Sequence, residues 1–131
     1  MGTEVYGLNN CDTCKKARKW LDRHAVEYRF IDYRDEPATP AMLKAWAEAV
    51  GGFDALVNRG STTWRNLAPA RKAPGSAAEW SLLIREYPAL VKRPVLVLAD
   101  GKVQLGFNDK LYAGLFVFII ALSGSIGQRL H

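Results

Sequence analysis

Hydrophobic and polar positions change period several times along the chain, and each change marks an element. Residues 3–7 are a short β-prone run that ends at Gly7, and Asn9-Asn10 interrupts it. Ala17, Trp20 and Leu21 then recur at helical spacing, which predicts a helix from just after Cys11 to about His24. Val26 through Tyr33 alternates and reads as a second strand. Two strands joined by a helix form a right-handed βαβ unit with the strands parallel. Thr39-Pro40 is an N-cap followed by proline at the first helical position. Leu43, Trp46, Ala47 and Val50 continue that helix, and Gly51-Gly52 stops it. Phe53, Leu56 and Val57 suggest another short helix, before a polar, glycine-containing segment from Asn58 to Leu67. Ser76-Ala77-Ala78-Glu79 has the form of a capping box and opens a helix with Trp80, Leu83, Ile84 and Tyr87 on its buried stripe.

Residues 38–87 therefore read as a helical insertion between two halves of a sheet. The second half begins at Val95-Leu96-Val97-Leu98, with Pro94 at the strand start, where its missing N–H costs nothing and its peptide bond can be cis. Asp100-Gly101 is a strong hairpin signal and pairs this strand with Lys102–Leu105 in antiparallel fashion. Asn108 or Asp109 can cap a last helix. The expectation is an α/β fold with a four-stranded mixed sheet. It forms one domain over residues 1–131, with a core at 3–35 and 88–116.

The run from Leu111 is nearly all apolar to Leu122 and uncharged to Gly127, close to the roughly 18–20 residues of a membrane span. Ser123, Gly124, Ser125 and Gly127 weaken it as a span. The atypical tail, 117–131, reads first as a buried or oligomer-forming helix, with a membrane-associated tail and an altered terminus as alternatives.

Length and composition are those of an ordinary globular domain, 131 residues and about half hydrophobic. The net charge of +5 favours anionic small ligands or acidic partners. The basic residues are scattered, so direct nucleic-acid binding is not expected.

Both cysteines, Cys11 and Cys14, fall at the junction of the first strand and helix. A helix N-terminus presents unpaired N–H groups and a positive dipole end, which stabilise a thiolate. Cys11 lies before the helix and is the candidate nucleophile, with Lys15, Lys16 and Arg18 adding positive charge. Cys14 is either a small apolar residue facing the sheet or a resolving thiol able to pair with Cys11. One Cys-x-x-Cys cannot complete a zinc site, and neither His24 nor His131 has metal-like spacing, so no metal is expected. The spacing and the lack of a signal peptide suggest a reducing cytoplasm. Arg59, in the polar segment, reads as a solvated loop arginine or as a side chain facing a site.

With Cys11 after the first strand, Arg93-Pro94 before the third and a βαβ–helices–ββα order, the chain resembles the ArsC/Spx family of thioredoxin-like proteins. The YffB-like branch, glutathione-dependent thiol reductases related to arsenate reductase, is the most similar. The resemblance rests on Tyr6–Thr13, Lys15–Leu21, Tyr28–Arg34, Arg59–Leu67, Lys92–Pro94 and Leu105–Asp109. It implies that Cys11 is the catalytic cysteine, that Asn10, Arg59, Arg93 and Pro94 surround the substrate, and that Pro94 is a cis-proline. It implies no bound cofactor, glutathione as co-substrate, and a small thiol, an oxyanion or an oxidised protein as substrate. A third arginine of arsenate reductases is replaced by Gly106-Phe107-Asn108-Asp109, which weakens arsenate reduction as the native activity. The Cys11/Cys14 pair is similar to the redox switch of Spx, a regulator that binds RNA polymerase, and this is the rival expectation.

Overall fold

The computed structural model describes residues 2–117. Strand β1 (Thr3–Gly7) leads into helix α1 (Asp12–Arg23) and strand β2 (Tyr28–Asp32). The insertion consists of α2 (Pro40–Val50), α3 (Phe53–Leu56), α4 (Thr62–Arg65), a 3-10 turn at Pro69–Lys72 and α5 (Ala77–Glu86). A second 3-10 turn, Pro88–Leu90, precedes β3 (Val95–Val97), β4 (Val103–Leu105) and α6 (Asp109–Leu115). The sheet order is β2-β1-β3-β4, with β1 and β2 parallel and the other two pairings antiparallel. This is the expected four-stranded mixed sheet.

Alternation along the central strands divides the core into two. Val5 and Leu96 face α1 and α6, among Ala17, Trp20, Leu21 and Tyr112. Tyr6, Val95 and Ile31 face the insertion, among Leu43, Trp46, Leu56 and Ile84. A strand that must be apolar on both faces shows little alternation, as residues 95–97 do.

Local chemistry sets the boundaries. Thr39 Oγ1 accepts from Met42 N–H at 3.1 Å and Ser76 Oγ from Glu79 N–H at 3.2 Å, so both predicted caps are present. The Glu79 carboxylate accepts from Gly75 N–H rather than returning to Ser76, which leaves the box one residue open. Gly51 closes α2 at φ 100°, and Asn108 rather than Asp109 caps α6. The second strand starts later than its alternating pattern, because Ala25 at φ 56° folds Val26 N–H back onto Leu21 O. Helix α4 stands inside the segment read only as polar and glycine-containing, with Ser61 Oγ accepting from Trp64 N–H and Trp64 buried. Among the described residues no helix is long and apolar enough to cross a membrane. The expectation for the tail falls on residues 118–131, outside the described residues.

One glycine is fixed by a close approach. A Cβ on Gly7 would stand 2.5 Å from Cys14 Sγ. Gly7→Ala is therefore expected to lower stability by about 1–3 kcal/mol, the usual cost of overpacking. Cys14→Ala should recover most of that loss in the double variant, which a four-way denaturation cycle reads directly.

Candidate functional site

The site forms where β1 ends. The chain leaves the sheet at Gly7, turns with Cys11 N–H donating to Leu8 O at 3.3 Å, and enters α1 with Cys11 as the N-cap residue. Parallel β1 and β2 place this turn beyond their carboxyl ends, where open α/β sheets carry their sites.

Asp32, at the end of β2, fastens the turn. Its carboxylate is 7% exposed and accepts from Asn9 N–H at 3.0 Å, from Arg34 N–H at 2.9 Å and from the Arg34 guanidinium at 2.8 and 3.2 Å. The Arg34 hydrogen bonds, outweighing burial, hold this carboxyl far below the usual carboxylate range. Asp32 thus ties the Cys11 turn, through Asn9 N–H 23 residues away, to a carboxylate that Arg34, two residues on, holds in place.

Cys11 is partly exposed, Cys14 only 1% exposed, and both are free thiols. Burial alone would raise the Cys11 pKa, but the Cys14 backbone N–H, the Cys14 thiol and the Arg93 guanidinium together lower it below the ordinary thiol value. The Cys11 side chain makes no closed capping hydrogen bond, so the Cys14 N–H acts as a dipole aimed at the sulfur. Burial pushes the Cys14 thiol the other way, up to about 12, and a neighbouring Cys11 thiolate adds to that shift. One cysteine is poised as a nucleophile and the other is held protonated.

Arg93 is the cation that the fold brings to Cys11. Its Nη1 donates to Tyr33 Oη at 3.3 Å and to Ala89 O at 3.2 Å. Its Nε is buried and has no hydrogen-bond partner among the described residues. The Arg93–Pro94 peptide is cis, as the resemblance implies. Arg18 is occupied elsewhere, over the Phe30 ring at 4.1 Å and bonded to Tyr28 Oη.

The remaining candidates are placed differently. Asn10 is exposed on the turn beside Cys11. Arg59 lies near the Val57–Val91 bridge that joins its segment to that of Arg93. Its guanidinium is 3.9 Å from Asp54 and 5.7 Å from the Trp64 ring centre, with the side chain 60% exposed. Among the described residues no hydrogen bond or ion pair joins it to Cys11 or Arg93. Sequence reading missed Asp32 and Tyr33; the available signal was a carboxylate and a tyrosine at the end of a strand otherwise apolar on its inner face. Among the described residues no group of three or more His, Cys, Asp or Glu side chains could hold a metal.

The ArsC family model matches residues 6–115. An uncharacterized protein of Haemophilus influenzae is 45% identical over 112 residues, covering 86% of this chain and 96% of the relative. The solved structure of the YFFB (PA3664) protein is 40% identical with a TM-score of 0.77, covering 86% of this chain and 96% of that one. An arsenate reductase (ArsC) related protein from Brucella melitensis is 39% identical with a TM-score of 0.68, covering 88% and 95%. A global transcriptional regulator, Spx of Streptococcus pneumoniae, is 29% identical over 76% of this chain and 74% of its own length.

Proposed function

Because the chain belongs to the ArsC family, we propose that it is a thiol oxidoreductase that uses glutathione and works through Cys11 alone. The Cys11 thiolate attacks the glutathionyl sulfur of a mixed disulfide. The old S–S bond breaks, the substrate leaves as a thiolate that takes up a proton, and Cys11 carries the glutathionyl group. A second glutathione thiolate attacks that group, releasing oxidised glutathione and restoring the Cys11 thiolate. Electrons balance: one substrate disulfide is reduced as one glutathione disulfide forms. A cytoplasmic setting, where glutathione is reduced, suits this cycle.

The observation that carries the reading is the pairing of a lowered Cys11 with an Arg93 whose buried Nε is unpartnered. A buried donor left in that state costs free energy, and the half-buried guanidinium that carries it keeps charge to offer an anionic group on the substrate. Pro94, next to Arg93, and Asn10, exposed next to Cys11, would border the substrate in this reading. Arg59 would join only by leaving Asp54, so its contribution is expected to be smaller than that of Arg93.

Cys14 supports glutathione over an internal disulfide as the means of resolution. Its sulfur is enclosed and its thiol is held protonated near neutral pH, both of which slow attack. The Spx-like reading needs that attack, and with it redox-dependent association with RNA polymerase. Arsenate reduction would use the same Cys11 and Arg93, and steady-state assays with glutathione and arsenate separate it from thiol reduction.

The test is the pH dependence of Cys11 alkylation by iodoacetamide. The wild-type profile should have its midpoint below that of an ordinary thiol. Arg93→Gln removes the positive charge, so the midpoint should rise and the rate near pH 7 fall roughly tenfold. An unshifted wild-type midpoint would remove the basis for an activated nucleophile.

A further inference from the structure

A half-enclosed groove of about 580 Å³ lies on the insertion side of the sheet, within the size range of small-molecule sites. Its floor is apolar, made by Leu43, Trp46, Ile84 and Val91. The Pro37–Pro40 segment forms one wall, and Pro88 stands on the other. Among the described residues its only charged lining residues are Arg34 and Arg85, and no acidic side chain lines it. Arg34 is spent on Asp32, whereas Arg85 makes no ion pair or side-chain hydrogen bond among the described residues. One free cation at the edge of an apolar trough suits an apolar ligand that ends in a carboxylate.

The groove is joined to the thiol site through two side chains. Tyr33 lines it, and the Tyr33 hydroxyl accepts from Arg93, whose guanidinium acts on Cys11. The other anchor of Arg93, Ala89 O, follows directly on Pro88 of the groove wall. An occupant of the groove therefore rests against Tyr33, which holds Arg93, and against Pro88, the neighbour of its other anchor.

We infer that this groove is a substrate subsite, which receives the apolar, carboxylate-bearing half of the disulfide that Cys11 attacks, with Arg85 taking the carboxylate. The inference rests on the thiol chemistry proposed above. It makes the preferred substrate a disulfide with one bulky apolar acid as its leaving thiol.

Phenylbutyrate and its uncharged amide serve as sulfur-free probes, followed by the Trp46 indole N–H resonance of the full chain. The acid should shift that resonance, the amide should bind roughly fivefold more weakly, and Arg85→Gln should erase the difference between them. Ala38→Trp, which fills the mouth, should abolish both responses. In wild type, the acid should slow the reaction of Cys11 with a dithiobis(nitrobenzoate) disulfide but leave alkylation by the smaller iodoacetamide unchanged. No shift at Trp46, equal binding of acid and amide, or an undiminished disulfide reaction would each overturn the subsite. A Trp46 resonance that moves with protein concentration alone would put a second copy in the groove and overturn it too. A Cys11 inert to both reagents sinks the thiol mechanism instead, while groove occupancy is still read at Trp46.

Discussion

Cys11→Ser is expected to reduce glutathione-linked disulfide turnover below detection, a loss of at least about 10³-fold, because a serine hydroxyl cannot supply an anion of comparable nucleophilicity near neutral pH. The fold should survive. Cys11 is an N-cap residue, serine is a preferred N-cap, and its hydroxyl can close the hydrogen bond that the thiol leaves open. A variant as stable as wild type or slightly more so, yet inactive, separates chemistry from structure. Cys14→Ser offers the contrast: it places a hydroxyl in an enclosed site and should cost stability, while glutathione-linked turnover persists. The check is paired steady-state kinetics and denaturant unfolding on both variants.

Asp32→Ala should lower stability by about 1–3 kcal/mol, since it strands the Asn9 and Arg34 backbone N–H groups, while the half-exposed Arg34 guanidinium returns to water. The pH dependence has a definite sign. The folded carboxyl titrates well below its ordinary value of 3.8, so its contribution is complete above that value and is lost as pH falls through the acid range. Wild-type stability should therefore decline between about pH 5 and pH 2 more steeply than that of Asp32→Ala. Cys11 alkylation in the variant should also lose its low-pH midpoint, because the turn that aims Cys11 at α1 and Arg93 is no longer fastened. A variant that unfolds like wild type at neutral pH and titrates in parallel with it would remove Asp32 from this role. These two outcomes tie the same carboxylate to stability and to reactivity.

Much of this was legible in the residues because the signals are local. Thr39-Pro40, Ser76–Glu79, Gly51 and Asp100-Gly101 each depend on a few neighbouring positions, and each appears where the pattern puts it. Helix α4 was hidden by Gly60 and the polar run around it, although Ser61 followed three residues later by buried Trp64 was its signal. The strand-to-helix position of Cys11 was equally local. The groups that tune it were not: Arg93 reaches Tyr33 across 60 residues and Asp32 reaches Asn9 across 23. Lys15, Lys16 and Arg18 are the basic residues nearest Cys11 in sequence, whereas the guanidinium that acts on its sulfur, Arg93, comes from the other half of the sheet and is held there by Tyr33 and Ala89. Family resemblance supplied Arg93 where spacing alone could not. For Arg59 it supplied a role that the side chain, lying between Asp54 and Trp64, does not yet occupy.

The central claim, a single working cysteine resolved by glutathione, is tested most directly by incubating the reduced protein with oxidised glutathione and weighing it intact, with Cys14→Ser alongside. The account predicts a stable gain of one glutathione, mapped to Cys11, in both proteins. A loss of two hydrogens that disappears in Cys14→Ser would contradict it, making Cys14 a resolving thiol and the pair a disulfide switch.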